Sequence, residues 1–423
     1  MKTLPCNDEI RQAISGCDGL DYVQAGIFDL NGQLRGKRLP ASSLTKILSS
    51  GFNIPYSVQN LDITGADITD SRFVFETGDQ DGCAVWTGHP GMPIGHLSQP
   101  SMLFLMSLHH HDGSPFAGCP RAALKAAVDR AAEQGFFFTC GFEVEFTLLS
   151  ADGGPFASST DILSLLALDS LDGFFSQFLE ACSGAGIIFE SVQSEASPGQ
   201  FEIVMPPDKD IVGAADRLML IRHMLSSYAA AHGMTASMKA KPLPDGAGNG
   251  MHVHISLSDE QGANLFARHK EMLGSAVAGL LDILQEATLI FAPTPNAFDR
   301  LTPYSHAPIS ICWGIDNRTA AVRVPASEPS ARRIELRVAG MDANPYLVLL
   351  VSLQAMLRGI DGKCQPPPPI EGNSYNLSLP VIPASFDEAL TLFSASETMK
   401  QMMPDVLHEM FVSCKQQDGM ISS

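Results

Sequence analysis

Three short segments of this chain alternate apolar and ionisable residues with a period of two: Phe142-Glu143-Val144-Glu145-Phe146, His252-Val253-His254 and Arg333-Ile334-Glu335-Leu336-Arg337. Extended backbone sends successive side chains to opposite faces. Each segment therefore reads as a strand with an apolar underside and a face of carboxylates, imidazoles or guanidinium groups. Aromatic and aliphatic flanks make the Glu143/Glu145 strand central, where unpaired carboxylates are costly. A divalent metal resolves that cost, and alternate positions about 6.5–7 Å apart can serve two neighbouring ions. Guanidinium groups beside them suit bound phosphate or carboxylate. The combination is the equipment of phosphoryl transfer.

Each motif also has a plainer reading. An isolated Glu-x-Glu is more often an exposed strand face. Glu195 and Glu202 flank a Ser-Pro-Gly-Gln loop, where acidic residues are usually solvated. The histidines after the bend Gly248-Asn249-Gly250 read equally as a ligand-facing pair or as hydrogen-bonded core residues. Arg318, Arg323, Arg333 and Arg337 could pair with an acidic surface, yet their alternation with apolar residues favours half-burial and an anionic partner. His109-His110-His111 reads as the start of a solvated loop. Gly32–Lys37 is one residue short of a phosphate-binding loop, and Arg38 stands where Ser or Thr is needed.

The formal charge of −19 carries no long run of one sign, which excludes a nucleic-acid backbone as an expected partner. Nine scattered cysteines without a C-x-x-C pair suit reduced thiols, hence a cytoplasmic protein. The strongest apolar run, Tyr346–Met356, is too short to span a bilayer, so no membrane partner is expected.

The spacing predicts an α+β chain. Strands are expected at Tyr22–Leu30 and Gln33–Leu39 around a two-residue Asn31-Gly32 turn, then at Val74–Phe75, Ala84–Trp86 and Met102–Leu108. A helix from Pro120 to about Gln134 follows, and Gly135 stops it. Further strands are expected at 141–149, Ile187–Glu190, Gln200–Met205, Thr235–Ala240, Met251–Leu257, 320–325 and 333–338. Helices are expected at Leu171–Ala185, Val212–His232, Glu271–Phe291 and Pro345–Arg358, and through most of the last forty residues. The change of character near residue 112 divides the chain into an N-terminal β domain, 1–112, and a mixed domain, 113–423.

Taken in order, G-F-E-V-E-F, the two glutamates around Pro-Gly-Gln, G-N-G-M-H-V-H-I-S-L, N-R-T-A-A-V-R-V-P and R-R-I-E-L-R…N-P-Y-L resemble the glutamine synthetase superfamily over nearly the whole chain. The resemblance implies a small N-terminal β-grasp domain and a catalytic domain with a curved antiparallel sheet flanked by helices. It also implies a dodecamer of two hexameric rings, with active sites between subunits. It gives Glu145, Glu195 and Glu202 to one Mg²⁺ or Mn²⁺, and Glu143, His252 and Glu335 to a second, with two or three ions per site. His254, Ser256 and Arg333 would contact ATP. Gly248, Arg300 and Arg337 would hold glutamate, and Arg318 and Arg323 would stabilise the transferring phosphoryl group. The implied reaction phosphorylates the γ-carboxylate of glutamate, and an amine then attacks the acyl phosphate.

Departures from the family pattern bear on the amine. Ammonia-using members carry a glutamate six positions after the substrate arginine, where this chain has His306. A neutral imidazole is a poorer attractor for a small cation. Ala247 replaces an asparagine before the glycine bend. Trp313-Gly314-Ile315-Asp316-Asn317-Arg318-Thr319 has the form of the γ-glutamylpolyamine synthetase branch, and Asp29–Arg38 resembles it too. Asp62 is the nearest candidate for the N-terminal-domain aspartate that helps bind ammonium in glutamine synthetases. The expected activity is an ATP-dependent ligase joining glutamate to an organic amine, a polyamine or a monoamine. The alternatives are glutamine synthesis from ammonia and a non-catalytic structural or regulatory homologue.

Overall fold

The computed structural model describes residues 7–94, 97, 99–156 and 162–422. Its N-terminal part is a six-stranded sheet of β1 (Tyr22–Phe28), β2 (Leu34–Pro40), β3 (Phe52–Pro55), β4 (Asp81–Trp86), β5 (Met92–Ile94) and β6 (Ser101–His109). The order is β2-β1-β6-β4-β3, with β5 also on β6; β1 and β6 run parallel and the other pairs antiparallel.

The second sheet holds β7 (Phe137–Leu149), β8 (Ser191–Ser194), β9 (Gln200–Val204), β10 (Thr235–Ser237), β11 (Met251–Ser258), β12 (Trp313–Ile315), β13 (Val322–Val324) and β14 (Ile334–Leu336). Its order is β12-β13-β14-β11-β7-β9-β8, with β10 also on β7. Every pair is antiparallel except β12 with β13, so the sheet is mixed where an antiparallel one was expected. Only residues 316–321 join that parallel pair, far fewer than a helical crossover needs. Asp316 makes the sharp reversal in the left-handed region, with φ +49°.

Alternation decides which face of this sheet is covered. Phe142, Val144, Phe146, Met251, Val253, Ile255, Ile334 and Leu336 are all buried to 1 % exposure or less. Helices Pro120–Glu133, Ile211–Ala231, Lys270–Phe291 and Pro345–Asp361 supply the core. Lys270–Phe291 is long and apolar enough to cross a membrane, but most of it is buried in this fold. Its apolar surface packs on Pro345–Asp361 and the rest of the core.

Several local expectations are corrected. Val74–Phe75 lies in the short helix Arg72–Phe75 rather than a strand, and Ile187–Glu190 is not a strand, the ladder starting at Ser191. The strand from Thr235 ends at Ser237. The first hairpin loop has three residues, not two: Asp29 N–H bonds Gln33 O at 3.0 Å, and Gly32 takes φ +74°. Buried Asp29 causes the extra residue, because its carboxylate accepts from Gln33 N–H at 2.8 Å and Arg35 Nε at 2.8 Å.

The two long core helices cross at glycines. A Cβ on Gly279 would lie 2.0 Å from Ala355 O, and one on Gly359 would lie 2.1 Å from Ser275 O. Gly279→Ala should therefore lower stability by about 1–3 kcal/mol through overpacking, outweighing the helix-propensity gain of about 1 kcal/mol. Urea titration of the folded chain measures this.

Candidate active site

Strand register assembles the site. Glu143 of β7 stands opposite His252 of β11, and Glu145 opposite Glu202 of β9. His254 stands opposite Glu335 of β14, which faces Arg323 of β13. Directly opposed residues place their Cβ atoms about 4.5–5.5 Å apart. Residues from five separate strands thus become neighbours on one face.

Glu143 is the hub. Its Oε2 lies 2.7 Å from His252 Nδ1 and its Oε1 lies 2.9 Å from His254 Nε2. Arg333 Nε donates to His254 Nδ1 at 3.1 Å, which assigns the ring proton of His254 to Nε2, facing Glu143. Burial opposes ionisation of Glu143, but hydrogen bonds from the two imidazoles outweigh it and hold the carboxyl well below its usual range. Glu335 is completely buried. Arg323 Nη1 donates to it at 2.5 Å and Arg337 Nη1 donates to its other oxygen. Burial opposes its ionisation, but the charges of Arg337, His252 and His254 outweigh burial and hold the carboxyl below its usual range.

The β9 side is different. Gln193 Nε2 donates to Glu195 Oε1 and Glu202 Oε1, each at 3.0 Å, and Gly250 N–H donates to Glu145 Oε2 at 2.6 Å. No cationic side chain forms an ion pair with Glu145, Glu195 or Glu202 among the described residues. Burial, then the charges of Glu143, Glu145 and Glu195, push Glu202 up to about 9, with Arg318 opposing. Burial likewise raises Glu195. Crowded carboxylates with too few cations fit a bound divalent ion, and an oxygen-rich set with one or two imidazoles suits Mg²⁺ or Mn²⁺.

Ligand-capable atoms converge in two groups, Glu143–Glu202–His252 and Glu143–His254–Glu335. This regroups the expected sets. His254, expected at ATP, joins a metal-capable trio, and His252 groups with Glu202 rather than Glu335. Glu145 and Glu195 stay outside both trios but act on Glu202 electrostatically. Ser256 continues the β11 row beyond His254, opposite Thr139.

On the other side of the bend, Arg300 is buried and donates to Val338 O at 2.7 Å and Arg337 O at 3.3 Å. Gly248 must be glycine, since a Cβ would lie 2.6 Å from both Ala240 O and Arg300 Cγ. Arg337 Nε donates to Arg318 O at 3.2 Å, and the Arg318 side chain is exposed. His306 is also exposed, with φ +65°, beside Tyr304 with φ +63°. The loop's base is tied to Arg300 by Ser305 Oγ donating to Arg300 O at 2.8 Å.

Asp62 is corrected. It is 1 % exposed, and its Oδ1 accepts from Thr64 N–H at 2.9 Å, Thr64 Oγ1 at 2.7 Å and Ala66 N–H at 2.9 Å. Its Oδ2 accepts from Gln417 Nε2 at 2.7 Å. Both of its oxygens are thus spent on bonds within the protomer, and Asp62 serves as a turn residue.

Three residues given no role in the sequence reading hold the site in place. Gln193 bridges two carboxylates, and Asp316 grips Arg323 Nη2 at 2.5 Å. Buried Asn249 accepts from Thr147 Oγ1 and Gln200 Nε2, each at 3.1 Å, and donates to Ser237 O and Lys239 O, fixing the bend. Gln193-x-Glu195 shows the same period of two as the recognised strands, the one signal that was available.

Residues 117–420 match the family described as "Glutamine synthetase, catalytic domain". The chain belongs to the glutamine synthetase family, whose members are ATP-dependent ligases joining glutamate to ammonia or an amine. It is 30 % identical to the gamma-glutamylputrescine synthetase PuuA of Escherichia coli K12, over 96 % of this chain and 90 % of that protein. It is 31 % identical to a glutamate–isopropylamine ligase of a Pseudomonas species, over 94 % and 91 %. Glutamine synthetase of Pyrococcus abyssi matches at 29 %, over 94 % and 90 %. The crystal structure of a novel glutamine synthase homologue superposes with a TM-score of 0.85 at 24 % identity, covering 96 % of both chains, which shows the same fold.

Glu202 gives this site a pH signature. Its value rises from 4.5 to about 9 on folding, so the metal-free folded state binds more protons than the unfolded one between those limits. Stability of the metal-free protein should fall as pH rises through that window. Adding Mg²⁺ at pH 7.5 should release about one proton per site. Titration calorimetry in buffers of different ionisation enthalpy reads the release, and Glu202→Gln should abolish it.

Proposed function

We propose that this protein is an ATP-dependent γ-glutamyl-amine ligase acting on an organic amine, with glutamate as the acid. The observation that carries the reading is the intact carboxylate–imidazole–guanidinium face beside a loop that presents His306 where ammonia-using relatives have an acid. Similarity to gamma-glutamylputrescine synthetase and glutamate–isopropylamine ligase supports it.

Divalent ions bound by Glu143, Glu145, Glu195, Glu202, His252, His254 and Glu335 would neutralise charge on the ATP phosphates. The chain's own groups do the rest. Arg333 and Ser256 would contact the nucleotide beside His254. Arg300, Arg337 and the open backbone at Gly248 would orient glutamate with its γ-carboxylate towards ATP. The γ-carboxylate oxygen bonds to the γ-phosphorus, ADP leaves, and an acyl phosphate remains. The exposed Arg318 can swing onto the transferring group, while Asp316 and Glu335 hold Arg323 in place. The amine nitrogen then attacks the γ-carbonyl carbon, inorganic phosphate leaves, and the amine gives up a proton.

The runner-up is glutamine synthesis, favoured by the 29 % identity to a glutamine synthetase. A non-catalytic homologue is disfavoured, because nothing but function preserves four crowded carboxylates that cost stability. We also propose the domain boundary near residue 112, a dodecamer of two hexameric rings, and a cytoplasmic location. The exposed run Ile162, Leu163, Leu165 and Leu166 supports subunit contacts, and the eight unpaired cysteines among the described residues support a reducing compartment.

ADP release measured across ammonia, monoamines, diamines and polyamines should be fastest with an organic amine; ammonia outpacing all of them would sink the reading. His306→Glu should shift the ratio of ammonia to amine turnover towards ammonia by about tenfold, the scale of one charged interaction. Glu143→Ala and Glu335→Ala should each reduce turnover by at least about a hundredfold and remove Mg²⁺-dependent thermal stabilisation.

A further inference from the structure

A cavity of about 860 Å³ lies apart from the carboxylate–imidazole face, and none of that face's carboxylates, imidazoles or arginines lines it. Its walls are the first hairpin loop, the middle of helix Ile211–Ala231, β10, the segment 293–299 and Asp342. It therefore sits where the N-terminal sheet meets the catalytic part of the chain.

Arg222 is the unexplained group in its wall. It is 8 % exposed, yet it has no carboxylate partner among the described residues. Nη1 donates to Ala343 O at 2.9 Å and approaches Met219 Sδ at 3.9 Å, while Nε and Nη2 donate to no described acceptor. Asp29, which acts on it through space, has both oxygens spent on Gln33 and Arg35. Burying a guanidinium without an anion is costly, and here burial pushes it down to about 10. Gly32 lets the hairpin loop close over this group, since its Cβ position would lie 3.4 Å from Arg222 Nη1.

Asp342 is the complementary group. Oδ2 accepts from Thr294 Oγ1 at 2.6 Å, but buried Oδ1 has no partner. Asp342 and Arg222 influence each other electrostatically without forming an ion pair. The wall thus holds a buried cation and a carboxylate that remain apart, with the exposed Lys239 and Asp299 also lining the cavity. A simple carboxylate would satisfy Arg222 and be repelled by Asp342, and a simple amine the reverse. A ligand carrying both charges satisfies both. Phe28, Leu34, Ile63, Leu347 and Phe411 give the cavity an apolar wall beside its polar groups, which suits an apolar body.

We infer that this cavity is an effector site for a zwitterionic α-amino acid with an apolar side chain, its carboxylate on Arg222 and its ammonium on Asp342. The route to the substrate side is short. Asn296, in the cavity wall, holds Lys241 by paired bonds of 3.1 and 2.9 Å, and Met341 N–H, next to Asp342, donates to Asn249 O at 3.0 Å. Both contacts anchor the bend that presents Gly248.

Titration calorimetry of the full chain with L-leucine, without ATP, tests binding independently of the proposed reaction. L-Leucine should bind saturably, with 4-methylpentanoate and 3-methylbutylamine, which each lack one charge, at least about tenfold weaker. Arg222→Gln should weaken L-leucine by a similar factor, and Arg337→Ala, on the substrate side, should leave it unchanged. If Arg222→Gln does not fold, the isosteric Asp342→Asn carries the same expectation. Absence of saturable binding, equal binding of 4-methylpentanoate, undiminished binding by Asp342→Asn, or loss in Arg337→Ala would each overturn the assignment.

Discussion

Cross-strand register is the constraint on which the rest of this molecule depends. Glu143 meets His252, Glu145 meets Glu202, His254 meets Glu335, and Glu335 meets Arg323, because β13, β14, β11, β7 and β9 are paired in one alignment. A slip of one residue in any of them would send its ionisable row into the helical core and its aromatic row to the open face. The penalty for burying even one unpaired carboxylate is several kcal/mol, so the apolar underside and the charged upper face enforce the same register together. The helices fix the alignment from below, and function uses it from above.

The charge balance across that face is uneven. On the β14 side, two arginines clamp Glu335, and the two imidazoles occupy both oxygens of Glu143. On the β9 side, Glu145, Glu195 and Glu202 share only neutral donors from Gln193 and Gly250. Fixed cations satisfy one half of the site; in the other half, burial and then the charges of neighbouring carboxylates push Glu202 up to about 9. The demand for an added cation is therefore concentrated between β7 and β9. The arginine-rich half remains available for anions, so one sheet face can bring metal, phosphate and carboxylate together.

Much of this face was legible because its signal is local. A period of two marked Glu143, Glu145, His252, His254, Arg333, Glu335 and Arg337 without any knowledge of pairing. Which trios converge was not legible, because Glu143 and His252 meet across 109 positions and only the sheet order makes them neighbours. The roles of Gln193 and Asp316 were not legible because an isolated amide or carboxylate looks the same whether solvated or clamped. Asp62 misled for the converse reason: Thr64, Ala66 and Gln417 consume its carboxylate, and the last of these lies 355 residues away. At Val74–Phe75, β-favouring side chains gave way to a helical turn in which Phe73 is buried. Asn31-Gly32 did mark a hairpin, but Asp29 captured Gln33 N–H and lengthened the loop.

The same contrast explains why the proposed acid-activating half is better defined than the proposed amine end. Arg300, Glu335 and Arg337 are locked by burial and by bonds to one another's strands, so their geometry is fixed by the core. His306 lies at the exposed end of a loop with two residues in the left-handed region, held at its base by Ser305 and across its flank by Tyr375 donating to Ala307 O at 2.7 Å. A side chain there can change without disturbing any core contact. Core packing ties the proposed activation chemistry to the fold, while the proposed amine end is tied only to a loop. One sheet can therefore keep the same phosphoryl-transfer face while its loop accepts nucleophiles of different size and charge.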